Sequence, residues 1–169
     1  MTEQRGSYAM ADVSGKPVSK RRALAAGKIV VGEEAFKLLK NKELPKGDAL
    51  AMAEIAGIQA AKQTPLLLPL CHPIGLNRVA IHCVLREAEH AVEIFAMAEI
   101  AERTGVEMEA LCGLSIALLT VWDLSKPINP ALEIDAIRLL YKEGGKRGEW
   151  RNPDGLPAEA EDLIGPNIS

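Results

Sequence analysis

The sequence predicts an α+β fold in which helices pack on one face of a mainly antiparallel sheet. Two segments, 78–86 and 91–100, alternate between apolar and polar residues and are joined by a short polar turn, which predicts a β-hairpin. A third segment, 105–125, carries apolar residues at helical spacing. Predicted strands and helices interleave, but the clearest strand pair is a hairpin. This favours the α+β class over a doubly wound parallel sheet.

The first half of the chain is predicted to contain one strand and two helices. A short apolar run predicts a strand at 28–31, and acids before lysines predict a helix at 33–42. Asp48 is positioned to cap a second helix at 49–63, which Pro65 ends. Small residues on one face of this second helix would allow close approach to a helix or a sheet: Ala53, Gly57, Ala60 and Ala61.

The second half is predicted to add the hairpin, the long helix and a last strand at 132–141. Ile81 and Cys83 share the apolar face of the first hairpin strand, because side chains in a strand alternate between faces. Leu111 and Leu118 belong to the apolar stripe of the long helix.

Composition restricts the classes of function. The chain has 169 residues, which favours one domain, and its 48% hydrophobic and 25% charged residues exclude a mainly disordered protein. A net charge of −3 argues against a broad nucleic-acid-binding surface, although a local basic site stays open. Only 4% of residues are aromatic, which argues against a stacking platform for single-stranded nucleic acid.

We expect a flexible N-terminus at 1–10, a single domain at 11–148 and a flexible C-terminal tail at 149–169, which is dotted with Pro and Gly and ends acidic. The three cysteines form no C-x-x-C pair, which fits reduced thiols and a cytoplasmic location. We expect no secretory signal and no membrane partner, because the longest apolar-rich stretch, 110–122, is too short to span a bilayer.

A basic glycine loop follows the last predicted strand, with Lys142 and Lys146 on either side of Gly144 and Gly145. Exposed backbone N–H groups and two ammonium groups together suit a phosphate. A solvated surface turn explains the same residues, because glycine is common in turns. Both interpretations stay open at this point.

Asp123 and Lys126 are three residues apart and share a helix face. An aspartate beside a lysine can orient it for proton transfer, but a surface ion pair of little consequence has the same spacing. Glu107 and Glu109 begin the same helix. They point to roughly opposite sides, so we expect at most one of them to face a given pocket.

Cys71 and His72 lie in a proline-punctuated loop. The remaining His and Cys residues do not supply a recognisable zinc spacing, so no metal site is predicted. The more modest functional hypothesis is that His72 donates a hydrogen bond to a ligand.

Seven motifs occur in one order along the chain: MADVS (10–14), KGD (46–48), AEIAGIQAAK (53–62), LPLCHP (68–73), GVEMEA (105–110), DLSK (123–126) and KEGGK (142–146). In this order they resemble the molybdenum cofactor biosynthesis protein C family, the cyclic pyranopterin monophosphate synthases, over about residues 10–148. The resemblance implies a ferredoxin-like antiparallel sheet with helices on one face. It also implies a homohexamer, a trimer of dimers, with active sites between the subunits of a dimer.

The implied activity is a phosphorus–oxygen lyase reaction of molybdopterin synthesis. It converts (8S)-3',8-cyclo-7,8-dihydroguanosine 5'-triphosphate into cyclic pyranopterin monophosphate and releases diphosphate. Asp123 and Lys126 match the catalytic positions. The implied substrate-binding positions are Leu70, Cys71, His72, Met108, Glu109, Lys46, Lys62, Lys142 and Lys146.

The implied reaction requires no cofactor, and Mg²⁺ with the triphosphate stays open. A non-catalytic anion- or nucleotide-binding module of the same fold is the alternative interpretation. Pro127 after the catalytic pair and Arg147 after the glycine loop depart from the family pattern.

Overall fold

Strands and helices alternate along residues 8–165, which the computed structural model describes. The strands are β1 Ser19–Val30, β2 Arg78–Arg86, β3 Ala91–Glu102, β4 Glu133–Glu143 and β5 Trp150–Arg151. The helices are α1 Glu33–Asn41, α2 Ala49–Lys62, α3 Thr64–Leu67, α4 Glu107–Ser125 and α5 Ala158–Ile164.

The five strands form one antiparallel sheet in the order β2-β3-β1-β4-β5. The first four strands and the helices between them follow the βαββαβ order of a ferredoxin-like fold, so the predicted α+β class is confirmed. The predicted hairpin is confirmed as β2 and β3, joined by a 3-10 turn over Glu87–Glu89. His90 closes this turn with a φ of 48°.

The central strand β1 is much longer than the predicted strand at 28–31. Its middle, from Ala23 to Ala26, is fully buried on both faces. Such a strand shows no alternation of polar and apolar residues, which is why its N-terminal half was missed. The last strand likewise extends two residues beyond the predicted end at 141, so Lys142 belongs to β4.

Helices α1, α2 and α4 cover one face of the sheet. The Asp48 side chain caps α2 by accepting hydrogen bonds from the backbone N–H groups of Leu50 and Ala51, as predicted. The small-residue face of α2 packs against α4. A Cβ added at Gly57 would lie 2.9 Å from the carbonyl oxygen of Gly113. The backbones of α2 and α4 are therefore in direct contact where the two helices cross. This contact fixes the start of α2 relative to the end of α4.

The 19-residue α4 is long and apolar enough, by length and composition, to cross a membrane. The expectation that this apolar region is too short is therefore wrong. Packing in the core also explains why α4 is so apolar, because Leu114, Leu118 and Val121 are fully buried between the sheet and α2. A core helix of this kind is apolar because it is covered on several sides.

Residues 149–165, which the sequence analysis treats as a flexible tail, are folded. Strand β5 pairs with the end of β4, and α5 lies on the sheet face opposite the other helices. Ala160 and Ile164 of α5 are buried against Leu24 and Phe95. Only two residues of this short helix are buried, so its apolar pattern is too sparse to detect in the sequence. Residues 1–7 and 166–169 lie outside the described residues.

Candidate active site

Two lysines from different elements converge on one carboxylate at the C-terminal end of α4. Asp123 Oδ1 lies 2.7 Å from Lys126 Nζ, one turn further along. Asp123 Oδ2 lies 2.8 Å from Lys46 Nζ, which the loop before α2 supplies. The crossing of α2 and α4 brings Lys46 to this position. The predicted Asp123–Lys126 pair is therefore part of a three-residue cluster, which we call the Asp123 cluster.

The Asp123 cluster is open to solvent. The side chains of Lys46, Asp123 and Lys126 are 43%, 48% and 52% exposed. Lys126, followed by Lys46, lowers the pKa of Asp123 to about 2 through hydrogen bonding, so this carboxylate stays ionised at any physiological pH. Exposed ion pairs contribute little to stability. The cluster places two ammonium groups within 2.7–2.8 Å of one carboxylate.

A cavity of about 220 Å³ lies at the other end of α4, and we call it the helix-start cavity. The loop after α3 and the first turn of α4 line it. Five predicted substrate-binding residues contribute to its walls: Leu70, Cys71, His72, Met108 and Glu109. The structure thus brings together two motifs that are more than thirty residues apart.

His72 and Glu109 are two of the polar residues that line the helix-start cavity. His72 Nε2 donates to the backbone oxygen of Ala11 at 2.9 Å, which fixes the orientation of the ring. Glu109 is only 4% exposed, and desolvation by burial raises the pKa of its carboxyl group. Burial also raises the pKa of the Cys71 thiol, which disfavours the thiolate that a cysteine nucleophile needs.

Glu107 also lines the helix-start cavity, so the expectation that at most one of the two glutamates faces a pocket is wrong. Glu107 is the first residue of α4, and its carboxylate folds back over Gly105, where a Cβ would lie 1.9 Å from Glu107 Oε2. The same carboxylate forms an ion pair with β4, because Lys142 Nζ lies 2.9 Å from Glu107 Oε1.

A second cavity of about 480 Å³ adjoins the first and shares Gly105 and Glu107 with it. The glycine loop after β4 forms one wall, so we call it the glycine-loop cavity. Six cationic side chains and two carboxylates line it: Lys16, Arg21, Arg22, Lys142, Lys146, Arg147, Glu107 and Glu143. This excess of positive charge suits an anion and favours the anion-site interpretation of the loop over a solvated turn.

Gly144 and Gly145 are required by the shape of the glycine loop. Their φ angles are 97° and 76°. A Cβ at Gly144 would lie 2.2 Å from the backbone oxygen of Lys20, and one at Gly145 would lie 2.0 Å from Arg21 Nη1. The loop backbone therefore rests directly on the start of β1.

The sequence matches the MoaC family over residues 10–145. The chain belongs to the MoaC family. A protein of Nocardioides sp. named cyclic pyranopterin monophosphate synthase is 46% identical over 152 residues, which cover 89% of this chain and 93% of that protein.

Two further relatives are similar to most of this chain. A Chloroflexus aurantiacus protein with the same name is 44% identical over 148 residues, covering 88% of this chain and 91% of that protein. A Chlorobaculum tepidum protein named molybdenum cofactor biosynthesis bifunctional protein is 49% identical over 144 residues, covering 85% of this chain and 46% of that protein. The family resemblance of the sequence is thereby confirmed.

The predicted site residues of this MoaC family chain fall into two groups. The cavities hold one group, the Asp123 cluster holds the other, and Lys62 belongs to neither. Asp123 lies 14 residues after Glu109 on α4, which corresponds to about 21 Å at 1.5 Å per residue. Lys62 is exposed at the C-terminal end of α2, away from the Asp123 cluster. One chain therefore does not unite all the predicted residues.

Sequence reasoning missed Arg21, Arg22 and Glu107 as site residues. The Lys-Arg-Arg run at 20–22 in an acidic chain was the available signal for the two arginines. Ser19 Oγ and Arg21 Nε are buried at the glycine-loop cavity without a hydrogen-bond partner among the described residues. Within residues 8–165, His, Cys, Asp and Glu form no group of three that could hold a metal ion.

Proposed function

We propose that this chain is a cyclic pyranopterin monophosphate synthase of molybdenum cofactor biosynthesis. The observation that carries the proposal is the convergence of Lys46 and Lys126 on Asp123 in a MoaC family chain that also carries a basic cavity. The substrate is (8S)-3',8-cyclo-7,8-dihydroguanosine 5'-triphosphate, and the products are cyclic pyranopterin monophosphate and diphosphate.

The glycine-loop cavity supports the triphosphate part of the proposal. Lys146 and Arg21 supply positive charge at its wall, and Gly144 and Gly145 let the backbone approach closely. In the last step, a substrate oxygen attacks the α-phosphorus, the bond to the β-phosphate bridging oxygen breaks, and diphosphate leaves. Cations at the leaving group stabilise the charge that develops in this displacement.

The Asp123 cluster supports the proton-transfer part. Opening and rebuilding the purine-derived ring requires protons to be moved, and lysine is suited to this task when its ammonium is positioned. We assign Lys126 as the main general acid/base and Asp123 as the group that orients it. The half-exposed side chain of Lys126 does not match the buried lysine that this chemistry favours. A second protomer that covers the cluster would supply that burial.

The separation of about 21 Å between the two groups supports an active site shared between protomers. Apolar side chains remain exposed on the outer side of the helices: Met52, Ile55, Leu66, Leu67 and Leu119. A cavity of about 260 Å³ between α3 and α4 interrupts this surface. Exposed apolar surface of this kind marks an interface. We propose the homohexamer, a trimer of dimers, which analytical ultracentrifugation tests directly.

The proposed steps are rearrangement, hydrolysis and displacement, so they involve no redox cofactor. Mg²⁺ that accompanies the triphosphate belongs to the substrate in this scheme, and turnover with and without EDTA tests its contribution. We further propose a soluble, cytoplasmic enzyme, in keeping with the free cysteines Cys71, Cys83 and Cys112. Cell fractionation tests this location.

The decisive experiment incubates the purified protein with the cyclic dihydroguanosine triphosphate and follows diphosphate release by phosphorus NMR. We expect release by the wild type and none above background with Lys126→Ala. A known active synthase serves as the positive control for the substrate. Binding of the substrate without release would instead support the non-catalytic anion-binding module.

A further inference from the structure

Arg22 of β1 lines the glycine-loop cavity, but its guanidinium is occupied by the protein itself. Its Nε and Nη2 donate to the two oxygens of Glu143 at 2.6 and 2.9 Å. Its Nη1 donates to the backbone oxygen of Ile164 at 2.7 Å, at the C-terminal end of α5. The side chain is only 12% exposed. A bidentate pair of this geometry is strong and well oriented.

Glu143 is the residue that makes this pairing necessary. It directly precedes the two loop glycines and places a carboxylate at a cavity that otherwise attracts anions. The Tyr141 hydroxyl donates to Glu143 Oε2 at 2.6 Å. Arg22, followed by this hydroxyl, holds the pKa of Glu143 below its ordinary value, so the carboxylate remains charged at neutral pH. Without Arg22, that charge would face the cavity without its bidentate partner.

Arg21, the neighbour of Arg22, provides the contrast. It lines the same cavity, and its Nε is buried without a hydrogen-bond partner among the residues the structure describes. Arg21 Nη2 makes one long hydrogen bond, 3.5 Å, to the backbone oxygen of Arg103, whereas all three nitrogens of the Arg22 guanidinium donate at 2.6–2.9 Å. Two adjacent arginines at one cavity thus have different tasks.

The C-terminal segment holds Arg22 in this position. Ile164 belongs to α5, which lies outside the region that matches the MoaC family, 10–145. Further ion pairs hold α5 on the sheet, from Arg86 to Glu159 and from Arg151 to Glu161. Arg22 and Arg151 both stack on the Tyr141 ring, at 5.5 and 5.6 Å from its centre.

We propose that Arg22 is a positioning residue that neutralises Glu143, so that the glycine-loop cavity accepts a polyphosphate. This inference deepens the proposed function, on which its biological meaning rests, because it concerns the cavity assigned to the triphosphate. Arg22 itself makes no contact with the ligand. The backbone of α5 helps to hold Arg22 in place, because the Ile164 oxygen accepts a hydrogen bond from Arg22 Nη1.

The test measures binding of inorganic triphosphate by titration calorimetry at low salt, using the full chain. Arg22→Gln leaves Glu143 uncompensated, and we expect binding to weaken about tenfold or more. Adding Glu143→Gln to Arg22→Gln restores the charge balance and is expected to return affinity to within about threefold of the wild type. Arg78→Gln, which removes an exposed arginine paired with Glu99, is the matched control.

The rescue separates this role from others, provided circular dichroism shows each variant to be folded. Wild-type affinity in Arg22→Gln would overturn the proposal. So would a double variant as weak as Arg22→Gln, because Arg22 would then contact the anion directly or serve only the fold. A wild type that binds triphosphate but never releases diphosphate from the nucleotide would refute the proposed function and leave this inference standing.

Discussion

The two ends of α4 carry carboxylates in opposite environments. Glu109 at the N-terminal end is almost fully buried in the helix-start cavity, and burial raises its pKa. Asp123 near the C-terminal end is half exposed between two lysines, which lower its pKa to about 2. Burial thus favours the protonated form of Glu109, whereas the two lysines keep Asp123 ionised.

Two carboxylates whose environments shift their pKa values in opposite directions are suited to different roles. The two groups are about 21 Å apart along one helix, so within one chain they are too far apart to act on the same atom of a substrate. The comparison teaches that the two groups of candidate site residues, the half-sites of the proposed shared site, lie at opposite ends of a rigid helix. A dimer that aligns the start of one α4 with the end of another would combine them.

The largest expected effect comes from removing the Asp123 cluster. Lys126→Ala should lower kcat at least a hundredfold, because a positioned general acid/base contributes about 10²–10⁴. Asp123→Asn should lower it less, because the lysine stays in place without its orienting charge. Steady-state diphosphate release measures both variants.

Lys40→Ala is the matched control for the Asp123 cluster. Lys40 is also half exposed and paired with a carboxylate, that of Glu87, but lies outside both cavities and the cluster. We expect its turnover to equal that of the wild type. Near-normal turnover of Lys126→Ala would remove Lys126 from the chemistry.

Glu109→Gln should lower activity while making the protein more stable. Because the folded pKa of Glu109 lies above the ordinary value of 4.5, its contribution to stability falls as pH rises through that range. The neutral amide avoids this loss, and we expect a gain of roughly 1 kcal/mol at pH 7, or about 2–4 °C in Tm.

Thermal unfolding at pH 4 and pH 7 provides the check on Glu109→Gln. The stabilisation should shrink at the lower pH, where Glu109 is mostly protonated in both states. A variant that is less stable than the wild type at pH 7 would contradict this prediction, because the folded protein would then stabilise the charged carboxylate.

The smallest expected effect concerns the α2–α4 crossing that connects the two half-sites. Gly57→Ala normally favours a helix by about 1 kcal/mol. At this position the new Cβ would lie 2.8 Å from Ile81 and 2.9 Å from the Gly113 oxygen. We expect a net loss of roughly 1–2 kcal/mol, because close-packed neighbours must shift. Urea unfolding measures it.

Ala51→Gly, on the exposed face of α2, is the comparison for Gly57→Ala. It measures how much the exchange of Ala and Gly changes stability through helix propensity alone. It should cost roughly 0.5–1 kcal/mol. A stabilised Gly57→Ala variant would mean that the crossing tolerates a methyl group and does not fix the position of Lys46.

Sequence reasoning recovered those parts of the fold in which local patterns are strong. The hairpin alternation, the Asp48 cap and the small-residue face of α2 each follow from a short segment and were confirmed. The buried strand β1 and the short helix α5 escaped, because burial on two faces removes alternation and seven residues give too little periodicity.

The candidate site was predictable only where motifs carried it. Motif matching found His72, Glu109 and Lys142, which the structure places in or beside the cavities. Arg22 and Glu143 escaped because their partnership joins residues 121 positions apart through neighbouring strands. Likewise, the convergence of Lys46 on Asp123 depends on the antiparallel crossing of two helices, which the spacing of residues along the chain does not reveal.

Mixing two variants that each impair a different half-site tests the shared-site account most directly. Lys126→Ala protomers and Glu109→Gln protomers are unfolded together, refolded in equal amounts and assayed for diphosphate release. If each site takes one half from each protomer, about a quarter of all sites regain both wild-type halves, and activity recovers to about that fraction. If activity stays at the level of the separate variants although mixed oligomers form, each protomer contains its own complete site and the account is contradicted.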